Sequence, residues 1–140
     1  MKVLIDTSVW SQALRRQNAT AGSLPESRAV NLLKELIHDG RVALLGPVRQ
    51  ELLSGVKPKV QFEKLQEILR VFPDESLSTA DYELAAQSFN NCRQAGVQGS
   101  NTDFLICAVS INRQWPVLSL DKDFELYQKH LPLKLYNAYP

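Results

Sequence analysis

A chain of 140 residues, 44% apolar and 22% charged, has the make-up of one globular domain and excludes a disordered chain. The formal net charge of +1 excludes a globally basic nucleic-acid binder, so any basic surface must be local. Two cysteines, Cys92 and Cys107, without a CxxC pair, exclude a disulfide framework and a zinc site and fit a reducing compartment.

The elements follow in chain order. Val3, Leu4 and Ile5 read as a short strand buried on both faces. They form the only apolar run before Asp6, too short for a secretory segment. No apolar run approaches the roughly 20 residues of a membrane span. The expectation is a cytoplasmic protein with no membrane partner. Residues 8–16 predict a helix with Val9, Trp10, Ala13 and Leu14 on one face, and residues 17–25 a loop. Residues 26–39 carry a clear helical repeat that Gly40 stops. Residues 42–45 predict a second strand. Gly46-Pro47 then opens a helix that carries Glu51 and ends near Gly55. Residues 60–71 predict a further helix and residues 73–76 a turn. Ser78 caps a helix closed by Gly96. Asn101 or Thr102 caps the next, which runs to about Arg113 and buries Cys107 in the core. A third strand over 117–120, a short helix or turn over 123–129 and a last strand over 133–136 complete the chain. Short apolar strands separated by helices imply an α/β domain, residues 1–140, with a parallel sheet covered on both faces.

The acids carry the chemistry. Asp6 directly follows the first strand and Asp121 the third. Asp103 lies in the first turn of its helix, and Glu51 about one turn into the helix after the second strand. In open parallel sheets the crevice beyond the strand C-termini is where ligands bind. Carboxylates gathered there repel one another unless a cation offsets the repulsion. An all-oxygen set favours magnesium or manganese over zinc. Such an ion activates water and neutralises a scissile phosphate, which points to phosphodiester hydrolysis.

Each acid also has a plainer reading. Asp103 could answer the helix dipole, Asp121 could serve a turn, and Glu51 could be a solvated helix residue. Asp6, wedged between apolar runs, needs a partner in any case. Thr7 and Ser8 could orient metal-bound water or cap the first helix, and capping is the favoured reading. The same pair of roles is open to Asn101 and Thr102. Asp123 is a further acid at this edge and could bind a second ion or cap the helix from Phe124. His38 and His130 lie near helix ends and read as solvent-exposed.

The runs Val3-Leu4-Ile5-Asp6-Thr7-Ser8-Val9-Trp10, Gly99-Ser100-Asn101-Thr102-Asp103-Phe104-Leu105-Ile106 and Leu118-Ser119-Leu120-Asp121-Lys122-Asp123-Phe124, with Glu51 between the first two, resemble a PIN domain. The resemblance is closer still to the VapC toxins of bacterial toxin–antitoxin pairs. It covers nearly the whole chain. Ser119 stands where that family often has Thr, and keeps the hydroxyl. The resemblance implies a three-layer α/β/α sandwich around a mostly parallel sheet. It implies that Asp6, Glu51, Asp103 and Asp121 bind Mg2+ or Mn2+, with Asp123 as an additional acid. It further implies a ribonuclease acting on tRNA or ribosomal RNA, a homodimer, and inhibition by a VapB-type antitoxin laid into the active-site groove. Lys122, Arg15 and Arg16, and also Lys57, Lys59 and Arg93, could contact RNA phosphates or form a solvated charged face. Two other readings stay open. One is an α/β phosphatase-like enzyme, for which an acid two residues beyond Asp6 is wanted and Ser8 is present. The other is a non-catalytic metal-binding interaction module.

Overall fold

The computed structural model describes residues 1–15 and 23–137. The elements are β1 (Val3–Ile5), α1 (Thr7–Arg15), α2 (Leu24–His38), β2 (Val42–Ala43), α3 (Gly46–Leu53), α4 (Lys59–Leu69), α5 (Thr79–Gln94), α6 (Asn101–Arg113), β3 (Val117–Leu118) and α7 (Asp123–Gln128). The three strands form one parallel sheet in the order β2-β1-β3. The chain leaves β1 in one direction to make β2 and returns past β1 to make β3. Parallel crossovers are right-handed, so reversing the direction places the two sets of helices on opposite faces. The packing agrees: α1 meets α2 and α3, α5 meets α6, and α2 touches β2 while α6 touches β3.

Val3, Leu4 and Ile5 are buried because both faces of β1 are covered, which is why this strand reads as a continuous apolar run. The core continues through Leu33 and Leu36 of α2, and through Phe104, Ile106 and Cys107 of α6. Cys107 is wholly buried, and burial pushes its thiol well above the ordinary range, as a core position requires. No helix among the described residues is long and apolar enough to cross a membrane.

The helix ends explain most boundary differences. α2 starts at Leu24, two residues before the expected Glu26. Ser23 and Glu26 form a reciprocal capping box, and Pro25 sits in the first turn. It ends where Gly40, at φ +68°, donates to the Ile37 carbonyl and Arg41 donates to that of Leu36. α1 runs from Thr7 to Arg15, one residue earlier at its start than expected, and Arg16 lies outside the described residues. α6 is capped by Ser100, not by Asn101 or Thr102: the Ser100 hydroxyl accepts from the Asp103 N–H at 3.1 Å. Arg49 of α3 braces the end of α4. Its guanidinium donates to the carbonyls of Leu69 (3.0 Å) and Phe72 and to Asp74 Oδ1 (2.7 Å).

Three strands are shorter than expected, for two reasons. Leu44 leaves β2 to bridge Asp74, and Leu45 becomes the residue that opens α3. Ser119 and Leu120 leave β3 because their polar groups turn toward the start of α1. The expected strand over 133–136 is a single parallel bridge, Val117 to Leu135, flanked by the Val117–Lys134 and Tyr136–Val117 backbone bonds.

Candidate active site

The ends of β1 and β3 lie side by side, since the Asp6 N–H donates to the Leu118 carbonyl at 3.0 Å. This is the topological switch point of the sheet, where the chain leaves neighbouring strands toward opposite faces. Asp6 is 4% exposed there. A buried carboxylate needs strong donors, and three converge on its Oδ2. They are the hydroxyls of Ser8 (2.7 Å) and Ser119 (2.8 Å) and the longer Ser8 N–H (3.4 Å). Ser8 also accepts from the Leu120 N–H at 3.0 Å, which fastens the start of α1 to the loop after β3. Ser8 therefore ties α1 to that loop rather than acting as a simple cap.

Asp121 lies three residues beyond the end of β3. Its N–H donates to Ser119 Oγ, and its Oδ1 accepts from the Asp123 N–H, both at 2.9 Å. Asp121, not Asp123, thus supplies the turn contact that opens α7. Helix α7 begins at Asp123 rather than Phe124. Asp103 arrives from the opposite helical layer, in the first turn of α6. Because Ser100 caps that helix, the Asp103 carboxylate is left for other work. It accepts from the buried Tyr127 hydroxyl at 2.7 Å on Oδ2. Burial pushes the Asp103 carboxyl above its ordinary range, and the nearby Asp6 and Asp121 charges add to that. Bonds from Tyr127 and Ser100 oppose the rise without cancelling it. Glu51 stands exposed on α3, with its Oε2 accepting from Thr7 Oγ1 at 2.9 Å. Thr7, the residue beside Asp6, therefore holds Glu51 rather than capping α1.

One pattern is common to all four acids. Each has one oxygen tied to a protein donor: Asp6 Oδ2, Glu51 Oε2, Asp103 Oδ2 and Asp121 Oδ1. Among the described residues, the hydrogen bonds leave Asp6 Oδ1, Glu51 Oε1, Asp103 Oδ1 and Asp121 Oδ2 open. Among the described residues, no three Asp, Glu, His or Cys side chains already form a chelating group. The donor chemistry, oxygens only with each carboxylate held by a hydroxyl or amide, would suit a hard divalent cation.

The remaining candidates divide. Lys122 is exposed beside Asp121, lining a shallow cleft of about 210 Å³ with Ser119, Asp121, Glu125 and Tyr136. Arg15 lies in the last turn of α1, its Nε on the Ser11 carbonyl. Asn101 lines an apolar groove between α5 and α6 instead of reaching the acids. His38 and His130 are exposed, as expected. Two functional neighbours escaped the sequence reading. Ser100 had a local signal, a serine three residues before an acid at a helix start. Tyr127 had none, because only the packing of α7 on α6 brings it to Asp103.

The chain matches no curated protein. Several solved structures share its fold, three of them as follows. VapBC2 from Rickettsia felis, bound to a DNA fragment from its promoter, is 19% identical over 98% of both chains, with a TM-score of 0.75. FitAcB from Neisseria gonorrhoeae is 20% identical over 96% of both chains, with a TM-score of 0.71. VapBC-1 from nontypeable Haemophilus influenzae is 11% identical over 98% of both, with a TM-score of 0.62. Residues 3–129 match the sequence profile of the PIN domain. The parallel sheet, the acids at its switch point and a match over most of its length together place the chain in the PIN domain family.

Proposed function

We propose that the chain is a metal-dependent endoribonuclease and the toxin half of a VapBC-type toxin–antitoxin pair. The observation that carries this reading is the shared pattern of the four acids. Asp6, Glu51, Asp103 and Asp121 come from separate connections, and each is held by one oxygen with the other left open. Glu51 and Asp121 are exposed and Asp6 is buried, yet all four share this tie, which favours a cation site over four unrelated charges.

Bound Mg2+ or Mn2+ would supply a water of lowered pKa and charge neutralisation at the scissile phosphate. The open oxygens of Asp6, Asp103 and Asp121 would hold the ion, with Glu51 at the side of α3. Ser8 and Ser119 fix the orientation of the Asp6 carboxylate. Lys122, and Arg15 at the end of α1, would grip the phosphates flanking the cut, a salt-dependent contact without base preference. Asp123, exposed one residue beyond Lys122, would take part in a second ion site.

The fold relatives named VapBC and FitAcB support an antitoxin partner. A cleft of about 230 Å³ beside Ser119, lined by Leu24, Pro25, Arg28, Leu32, Leu120 and Tyr136, gives such a segment a mixed apolar and basic seat. The resemblance to VapC toxins supports a homodimer and a cytoplasmic site of action. The test is RNA cleavage by the purified chain with Mn2+, with EDTA, and with Asp103→Asn. Metal-dependent cutting that EDTA and the variant both abolish supports the reading. Cutting at the parent rate by Asp103→Asn overturns the assignment of the acids.

A further inference from the structure

Tyr127 lies on a six-residue helix outside every acidic motif, yet its hydroxyl is spent on Asp103. The residue has no exposed surface. Its ring is wedged between Phe104 (centroids 4.9 Å apart) and Phe124 (5.2 Å, edge-on). The hydroxyl therefore arrives at Asp103 from a direction that the aromatic core fixes. Gly99 makes the approach possible. A Cβ there would collide with the Tyr127 hydroxyl, come within 2.8 Å of Cζ and press on Phe104. The loop before α6 is thus hollowed out where the phenol enters.

Asp103 needs such a device more than the other acids. Asp6 and Asp121 follow strands and are held by groups at the strand ends, Ser8 and Ser119 for Asp6 and the Asp123 N–H for Asp121. A carboxylate in the first turn of a helix can instead swing back to its own backbone N–H groups. Here the Ser100 hydroxyl occupies the Asp103 N–H, and the Tyr127 hydroxyl draws Oδ2 toward the core. Oδ1 is the oxygen left over.

We propose that Tyr127, seated against Gly99, is a positioning residue that locks the Asp103 carboxylate so that its second oxygen can serve as a metal ligand. The inference rests on the metal-site reading given above. It assigns a role to the Gly99–Tyr127 pair that packing alone does not require, because phenylalanine would fill the same ring volume.

The experiment is calorimetric titration of Mn2+ into the full chain, with the metal-free melting temperature of each variant measured beside it. Tyr127→Phe keeps the ring and removes the bond, and should weaken Mn2+ binding about 10- to 100-fold. In an Asp103→Asn background the same change should cost less than about twofold further, because the ligand it positions is already lost. Gly99→Ala leaves the aromatic cluster chemically intact but displaces the hydroxyl, and should weaken Mn2+ in the same direction. It serves as the second route should Tyr127→Phe fail to fold. Parent affinity in both Tyr127→Phe and Gly99→Ala overturns the positioning role while the metal site stands. An equal loss with and without Asp103 reduces Tyr127 to packing and overturns it as well. A parent chain that binds no Mn2+ overturns the metal site and the positioning role together.

Discussion

Ser119 Oγ, at the end of β3, lies 2.8 Å from Asp6 Oδ2, at the end of β1, across 113 positions of sequence. The same hydroxyl accepts from the Asp121 N–H. One serine therefore sets the relation between the buried acid of the first strand and the exposed acid of the third.

Removing that hydroxyl should act on activity more than on stability. Ser119→Ala is expected to cost about 1 kcal/mol in urea unfolding, the usual worth of one buried bond. RNA cleavage should fall about tenfold or more, the scale on which outer-shell partners of metal ligands matter. Ser119→Thr keeps the hydroxyl and should retain most of the activity.

Thr7 and Glu51 give the opposite balance. Their bond is exposed, so Thr7→Val should shift the melting midpoint by less than about 0.5 kcal/mol in stability. Glu51 would then lose its only protein donor among the described residues. Mn2+ affinity, read by titration, should drop while the fold is unchanged. An unaltered affinity would leave Glu51 as a solvated helix residue.

A polar network away from the site governs acid stability. Asp81 is 2% exposed, and burial pushes its carboxyl up. Bonds from Asn112 (2.9 Å) and from Ser78, with the charge of Arg113 (3.2 Å), outweigh burial and hold it below the ordinary 3.8. The folded chain thus binds this proton more weakly than the unfolded chain. The stability it contributes is complete above the unfolded value and is lost as pH falls through the lower folded one. Asp81→Asn should destabilise the protein by about 2 kcal/mol near neutral pH. Unfolding curves of parent and variant should begin to converge as pH falls below about 4 and draw together only below the lower folded value.

The sequence made the fold legible where both faces or one helical stripe are buried. Val3-Leu4-Ile5 and the α2 repeat Ala29, Val30, Leu32, Leu33 and Leu36 are such places. It was less informative where side chains compete with the ladder. Residues 119 and 120 look like strand but are drawn off by Asp6 and Ser8. The positions of the acids after the strands were readable because chain order fixes which strand ends are neighbours. Their orientation was not, since Thr7, Ser119 and Tyr127 act across 44, 113 and 24 positions respectively. The capping expected of Thr7 and Ser8 is replaced for the same reason: a hydroxyl beside a helix start looks like a cap until its distant partner is known.

The most direct test of the cation-binding claim is the anomalous signal of Mn2+ in a crystal of the parent chain. The account predicts a peak bonded to Asp6 and to at least one of Asp103 and Asp121. A crystal at saturating Mn2+ whose only peaks lie elsewhere on the surface would contradict it.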